Sequence, residues 1–146
     1  MLMEKLQQER LMVCVTAVPA AEYMLEQTIR YCKERIAFGR PISKFQNTQF
    51  KIVEMATEVE MAKDFTYHLV QDHLERKDIT KKVSMCKWYN AELSNRVAYQ
   101  CVQLHGGYGY MEEYEICRDA LDVRMGSIAA GTTEVMKMIL ARLLGL

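Results

Sequence analysis

From Leu11 to Cys32 the chain reads LMVCVTAVPAAEYMLEQTIRYC, and Leu11, Cys14, Val18, Ala21, Leu25, Ile29 and Cys32 recur at intervals of three or four. That interval aligns the seven side chains as an apolar stripe on one face of an α-helix. Pro19 lies inside the stripe and predicts a kink or local distortion, because it brings no amide hydrogen and its ring crowds the preceding turn. Downstream, Arg35 to Phe45, with Phe38-Gly39-Arg40-Pro41, reads as a loop. A second helical pattern follows from about Gln46 to His73, carried by Ile52, Ala56, Val59, Ala62, Phe65 and Leu69. The polar stretch Glu75 to Lys82 separates it from a third, with Asp78 or Thr80 as candidate caps. There Cys86, Tyr89, Leu93, Val97, Cys101 and Leu104 keep the same period. Glycines at 106, 107 and 109 make His105 to Tyr110 an irregular turn. A short helical stretch is expected near Glu112 to Leu121, and a last helix from Thr132 or Thr133 to the chain's end, with one of those threonines as N-cap. No strand pattern stands out. The fold class implied is all-α: an antiparallel, up-down four-helix bundle forming one domain over residues 1–146.

Length and composition bound what such a bundle can be. A chain of 146 residues holds one domain with a real core. Nineteen basic residues balance nineteen acidic ones, without a long run of either sign. That argues against a nucleic-acid partner or an anionic membrane surface, both of which need clustered Lys and Arg. The longest nearly uncharged stretch, Leu11 to Ala21, is too short for a membrane span. Met1-Leu-Met-Glu-Lys lacks the basic-first order of a secretory leader. Five scattered cysteines form no CxxC pair, and His68, His73 and His105 are equally dispersed, so no metal site is expected. The cysteines read as reduced packing residues.

Spacing alone says little about chemistry. There is no P-loop, no GxSxG elbow and no complete dinucleotide fingerprint. Gly106-Gly107-Tyr108-Gly109 follows a helix and not a strand, which makes it a helix-ending turn before it is a phosphate cradle. Gly131-Thr132-Thr133 is the better anion site, since a helix start offers unpaired amide hydrogens and a positive dipole end. Glu9 on these terms is only an acidic residue near the start of a helix.

Two segments carry more. Arg35-Ile-Ala-Phe38-Gly39-Arg-Pro41-Ile42, with Phe45-Gln46 after it, resembles the RxxFG…Q segment of the acyl-CoA dehydrogenase family. Gln103-Leu-His-Gly106-Gly107-Tyr-Gly109-Tyr110, then Arg118-Asp119-Ala120 and Ala130-Gly131-Thr132-Thr133-Glu134, resembles that family's QxxGGxGY…RDA…GTxE signature, in its order and at its spacings. The resemblance covers essentially the whole chain and is closest in pattern to the long-chain and isovaleryl types. It implies the C-terminal helical bundle of a three-part enzyme, whose N-terminal helical and central β-domains are absent here. It also implies oxidation of an acyl-CoA to a trans-2-enoyl-CoA with FAD as cofactor. Electrons would pass to an electron-transferring flavoprotein. The assembly expected is a homodimer or homotetramer, cytoplasmic in a bacterium and in the mitochondrial matrix of a eukaryote.

Residue roles follow the resemblance position by position. Many relatives place the catalytic base in an EGT sequence, where this chain has Ala130-Gly131-Thr132. A minority branch places it in an ERL sequence early in the first helix, and Glu9-Arg10-Leu11 stands at that place. Glu9 is therefore the implied base. Arg35, Phe38 and Gln46 match positions at a flavin held mainly by a neighbouring subunit. Gln103, Leu104, His105, Gly106 and Gly107 match a segment approaching the cofactor, and Thr132, Thr133 and Glu134 another. Ala130 and Gly131 match the thioester region, and Gln8 and Arg10 positions contacting acyl-CoA. Tyr108 and Tyr110 read as packing. The missing EGT glutamate keeps open a second reading, a non-enzymatic helical oligomerisation or interaction module derived from the family. A third, an oxidase-like or nitroalkane-oxidising enzyme, ranks low, since the latter's aspartate base is at neither position.

Overall fold

A computed structural model describes residues 2–146, with side chains from residue 6 onward. The first apolar stripe lies on helix α1, Leu2–Glu34. Of its seven residues six are buried, and Ile29 packs against the core from its edge. Helical structure continues through Pro19, which is exposed, so the lost amide at position 19 is suffered on the outer face. Ala17, Val18 and Ala21 beside it are buried and hold the helix from within.

Helix α2 spans Gln46–Leu74 and α3 spans Thr80–His105. The N-cap of α3 is Ile79 and neither expected residue, but Asp78 just before it accepts from the Thr80 amide at 3.0 Å through Oδ1. The face that α2 buries differs from the expected one. Ala56 and Phe65 are exposed, and the inward row is Thr48, Met55, Val59, Ala62, Thr66 and Leu69. The displacement has a local cause at Thr66, whose hydroxyl donates to the Ala62 carbonyl at 2.7 Å and also meets the Asn90 amide. A threonine satisfied in this way can occupy a core position that a purely apolar pattern overlooks.

Residues 35–45 are more ordered than a loop. Strands β1, Ile36–Ala37, and β2, Arg40–Pro41, form a minimal antiparallel hairpin, followed by a 3-10 turn at Ile42–Lys44. Phe38 and Gly39, at φ 52° and 79°, make its two-residue corner. Positive φ at both corner positions matches the twist of paired strands, but it is strained for a phenylalanine. Helix α4, Glu115–Asp122, is short, and α5, Thr133–Leu143, closes the bundle. Thr132 is the N-cap of α5 and accepts from the Val135 amide at 3.4 Å.

The contacts between helices give the topology. Lys63 of α2 meets Glu22 of α1 at 2.7 Å, and Glu58 of α2 meets Arg96 of α3 at 3.2 Å. Further along, Thr66 lies beside Asn90, so α2 runs against α3. Cys14 reaches toward Val83 while Tyr31 reaches His105, so α1 and α3 run parallel. Thr133 meets Glu92 and Lys137 lies over Trp88, so α5 runs back along α3. The order is up, down, up, down. Helix α3 is central: the main core gathers Met24, Leu25, Val59, Leu93, Val97 and Cys101, with Ile116 of α4 sealing one side.

Candidate functional site

The residues singled out in the sequence fall into two groups, at opposite ends of the bundle. Arg10 and Tyr31 mark those ends on α1, and a rise of 1.5 Å over the 21 residues between them sets the groups roughly 30 Å apart.

The first group surrounds the C-terminal ends of α1 and α3. A cleft of about 520 Å³ is lined by Tyr31, Arg35, Ile42 and the backbone turn from Gln103 to Tyr108. Gly106 ends α3 at φ 62°. A Cβ added at Gly106 or Gly107 would meet nothing within 4 Å, so backbone borders open space there. Gly109 differs: a Cβ would stand 2.5 Å from the Val102 carbonyl oxygen, and its glycine is what lets the turn fold back on α3. The Tyr31 and His105 rings stack at 4.2 Å, and the Tyr31 hydroxyl donates to the His105 carbonyl at 3.2 Å. Burial pushes the His105 imidazole below its usual range, against a smaller opposing effect of its bond to the Cys101 carbonyl. The Arg35 guanidinium lies 5.4 Å from the Tyr108 ring centre. Phe38 is 95% exposed on its strained corner, and Gln46 is exposed at the first turn of α2. A large aromatic held in solvent at positive φ, its ring meeting the edge of Phe45 at 6.3 Å, is a costly feature.

The second group surrounds the turn before α5. Ala130 and Gly131 sit at φ 54° and 104°. Arg10, only 4% exposed, donates from Nε to the Ala130 carbonyl at 3.3 Å and from its guanidinium to Gln7. Lys87, wholly buried, donates from Nζ to the Gly131 carbonyl. Thr133 Oγ1 donates to Glu92 Oε1 at 2.6 Å. Backbone and Thr132 hydrogen bonds hold the Glu134 carboxyl below its usual range. Gln8 and Glu9 are exposed on the turn of α1 that carries Arg10. The structure thus brings Glu9's end of α1 to Ala130 and Gly131. It sets Thr132 to Glu134 beside them, far from Arg35, Phe38, Gln46 and Gln103 to Gly107.

Sequence reading passed over Lys87, Glu92 and Tyr31. The signal for Lys87 was present: it falls in the inward register of α3, with Val83, Asn90, Ser94 and Val97, where a lysine is out of place. Among the described residues no group of three His, Cys, Asp or Glu side chains gathers at a metal site.

The first cleft fits part of a flavin dinucleotide. It offers a guanidinium for the pyrophosphate, two aromatic rings, and glycine backbone open to close approach.

Comparison with known proteins gives a consistent result. The family model for the acyl-CoA dehydrogenase C-terminal domain matches residues 1–145. The chain is 43% identical over 141 residues to the mitochondrial long-chain specific acyl-CoA dehydrogenase of Sus scrofa, covering 97% of this chain and 33% of that protein. It superimposes on an acyl-CoA dehydrogenase from Geobacillus kaustophilus with a TM-score of 0.98 at 51% identity, covering 99% of this chain and 38% of the other. A glutaryl-CoA dehydrogenase from Mycobacterium smegmatis, solved with FADH2, matches with a TM-score of 0.91 at 28% identity, covering 95% of this chain and 36% of the other. The chain spans about a third of the length of the curated relatives it matches.

Proposed function

The chain belongs to the acyl-CoA dehydrogenase family, as its C-terminal helical domain, and from that membership we propose that it serves the FAD-dependent oxidation of an acyl-CoA to a trans-2-enoyl-CoA. One observation carries the proposal for the reacting end: the Arg10 bond to the Ala130 carbonyl, which fastens the turn of α1 bearing Glu9 to the turn of Ala130 and Gly131.

An α-proton beside a thioester is weakly acidic, and a positioned carboxylate takes it far faster than water does. Glu9 is the carboxylate placed for this, and the methyl side chain of Ala130 leaves room for it. Gln8 and Arg10 stand beside the acyl-CoA, Arg10 acting through the turn it holds. Oxidised flavin, when bound, supplies the acceptor for the β-hydride. Glu9 is exposed on this chain, and substrate together with further protein would cover it.

Arg35, Phe38, Gln46 and Gln103 to Gly107 would hold one part of an FAD, and Thr132, Thr133 and Glu134 another. Their separation supports two copies of the chain each lending one group to a shared cofactor, and hence a homodimer or homotetramer. An exposed row on α2, comprising Phe50, Val53, Met61 and Phe65, supports the same assembly. An electron-transferring flavoprotein is the proposed electron acceptor. Among the described residues no helix is long and apolar enough to cross a membrane. The proposed compartment is bacterial cytoplasm or mitochondrial matrix.

The test is anaerobic addition of acyl-CoA to the flavin-loaded protein, carrying every segment it has in the cell. Bleaching of the flavin supports the reading. A stable homo-oligomer that binds neither FAD nor acyl-CoA would support the non-enzymatic module instead.

A further inference from the structure

Lys87 has the largest of the wholly buried side chains. Among the described residues its ammonium makes no ion pair; its hydrogen-bond partner is the neutral carbonyl of Gly131. Burying a cation this way carries a large desolvation cost before its partner is counted, and an apolar side chain of similar volume fills such a position at less cost. The groups that face the ammonium do not remove the cost. The Cys14 thiol and Arg10 approach from α1, Glu92 from α3 and Glu134 from α5; burial, with the Arg10 cation adding to it, outweighs the other three and lowers the lysine's pKa.

What the cation holds is specific. Arg10 takes the carbonyl of Ala130 and Lys87 takes the next one, that of Gly131. Both residues are at positive φ, a conformation that Ala130 resists and that persists only when neighbours over-determine it. In a trans peptide the N–H points opposite to the C=O. Fixing these two carbonyls therefore turns the amide hydrogens of Gly131 and Thr132 away from Arg10 and Lys87. Thr133 is fixed in turn by Glu92, about one and a half turns along α3 from Lys87. Three side chains thus hold Ala130, Gly131 and Thr133, three of the four residues of this stretch.

From this geometry we infer that Lys87 is a positioning residue, which with Arg10 clamps the turn at Ala130 and Gly131 so that its amide edge faces the bound thioester. The clamp is read from the structure alone; its service to a thioester rests on the dehydrogenase reading. Lys87 acts through the turn and touches neither substrate nor cofactor.

The experiment compares wild type, Lys87→Met and Lys87→Arg in the flavin-loaded protein with all its native segments. Amide exchange of residues 128–133 reports the clamp, whatever the enzymology. Lys87→Met is expected to accelerate exchange there while the middle of α3 stays protected, and Lys87→Arg to restore most of the protection. Flavin reduction by acyl-CoA reports the service. The limiting rate is expected to fall about 10-fold or more in Lys87→Met, with acyl-CoA affinity little changed, since misplacing a positioning group by about 1 Å can cost about 100-fold. If Lys87→Met does not fold, Lys87→Gln takes its place with the same expectations. Unchanged exchange at 128–133 would overturn the clamp. Faster exchange with an unchanged reduction rate would overturn its role at the thioester, as would a rate loss matched by an equal loss of affinity. If the wild type binds flavin and no acyl-CoA reduces it, the dehydrogenase reading fails and the role at the thioester with it, while the exchange arm still decides the clamp.

Discussion

Gly107 and Gly109 stand two residues apart in the same turn, and substituting each with alanine should have opposite consequences. At Gly109 a new Cβ would lie 2.5 Å from the Val102 carbonyl oxygen and 3.1 Å from the Cβ of His105. Neither neighbour is the free end of a flexible chain: one is backbone of α3 and the other is anchored by the Tyr31 stack. The turn must therefore lift off the helix, and overpacking of this kind costs about 1–3 kcal/mol. For a chain of this length each kcal/mol lowers Tm by roughly 3–5 °C, so Gly109→Ala should melt about 3–15 °C early. At Gly107 the new methyl meets nothing within 4 Å and the φ is ordinary. Stability there should be kept or rise by about 0.4–1 kcal/mol, because alanine restricts the unfolded chain. That methyl projects into the space proposed for flavin, so Gly107→Ala should weaken FAD binding while leaving the fold intact. Calorimetric melts with and without FAD measure both effects. Equal melting temperatures for the two variants would refute the steric argument. Undiminished FAD affinity in Gly107→Ala would refute the placement of the cofactor.

Two other outcomes follow from burial. His105 sits below its ordinary pKa of 6.5 because burial disfavours its cation; protonation thus favours the unfolded chain. Its contribution is complete above pH 6.5 and is lost as the pH falls through the lowered folded value. Melting temperature followed from pH 8 to 5 should drop more for wild type than for His105→Gln; parallel curves would contradict this. On α2, Met61→Glu with Phe65→Glu places charges in an exposed apolar row. Sedimentation should show a smaller assembly with helical content unchanged, and an unchanged assembly would remove this row from the subunit contact.

Much of the fold was legible because α1 buries a nearly all-apolar stripe, and α3 keeps Cys86, Leu93, Val97 and Cys101 in period among the polar residues it also buries. The stripe of α2 slipped because Thr48 and Thr66 are core residues there while Ala56 and Phe65 face out. Hydrophobicity alone cannot register a hydroxyl satisfied by its own helix. The hairpin at residues 36–41 has only two residues per strand, too few to show alternation. The candidate site was legible only through family resemblance, since much of its proposed chemistry uses backbone at Gly106, Gly107 and Gly131, which has no side-chain signature. Lys87 was hidden by the opposite habit: a lone lysine in a helix is read as solvated, and only its register on α3 indicated otherwise.

The central claim is that Glu9 takes the proton. Its most direct test is the rate of anaerobic flavin reduction by acyl-CoAs of several chain lengths, for wild type and Glu9→Gln, in the protein with all its native segments. The account predicts bleaching by wild type, a fall of about 100- to 10,000-fold in Glu9→Gln as for loss of a general base, and flavin content unchanged. Reduction of Glu9→Gln at a rate within about tenfold of wild type, far short of the loss expected for a general base, would contradict it and move the base elsewhere.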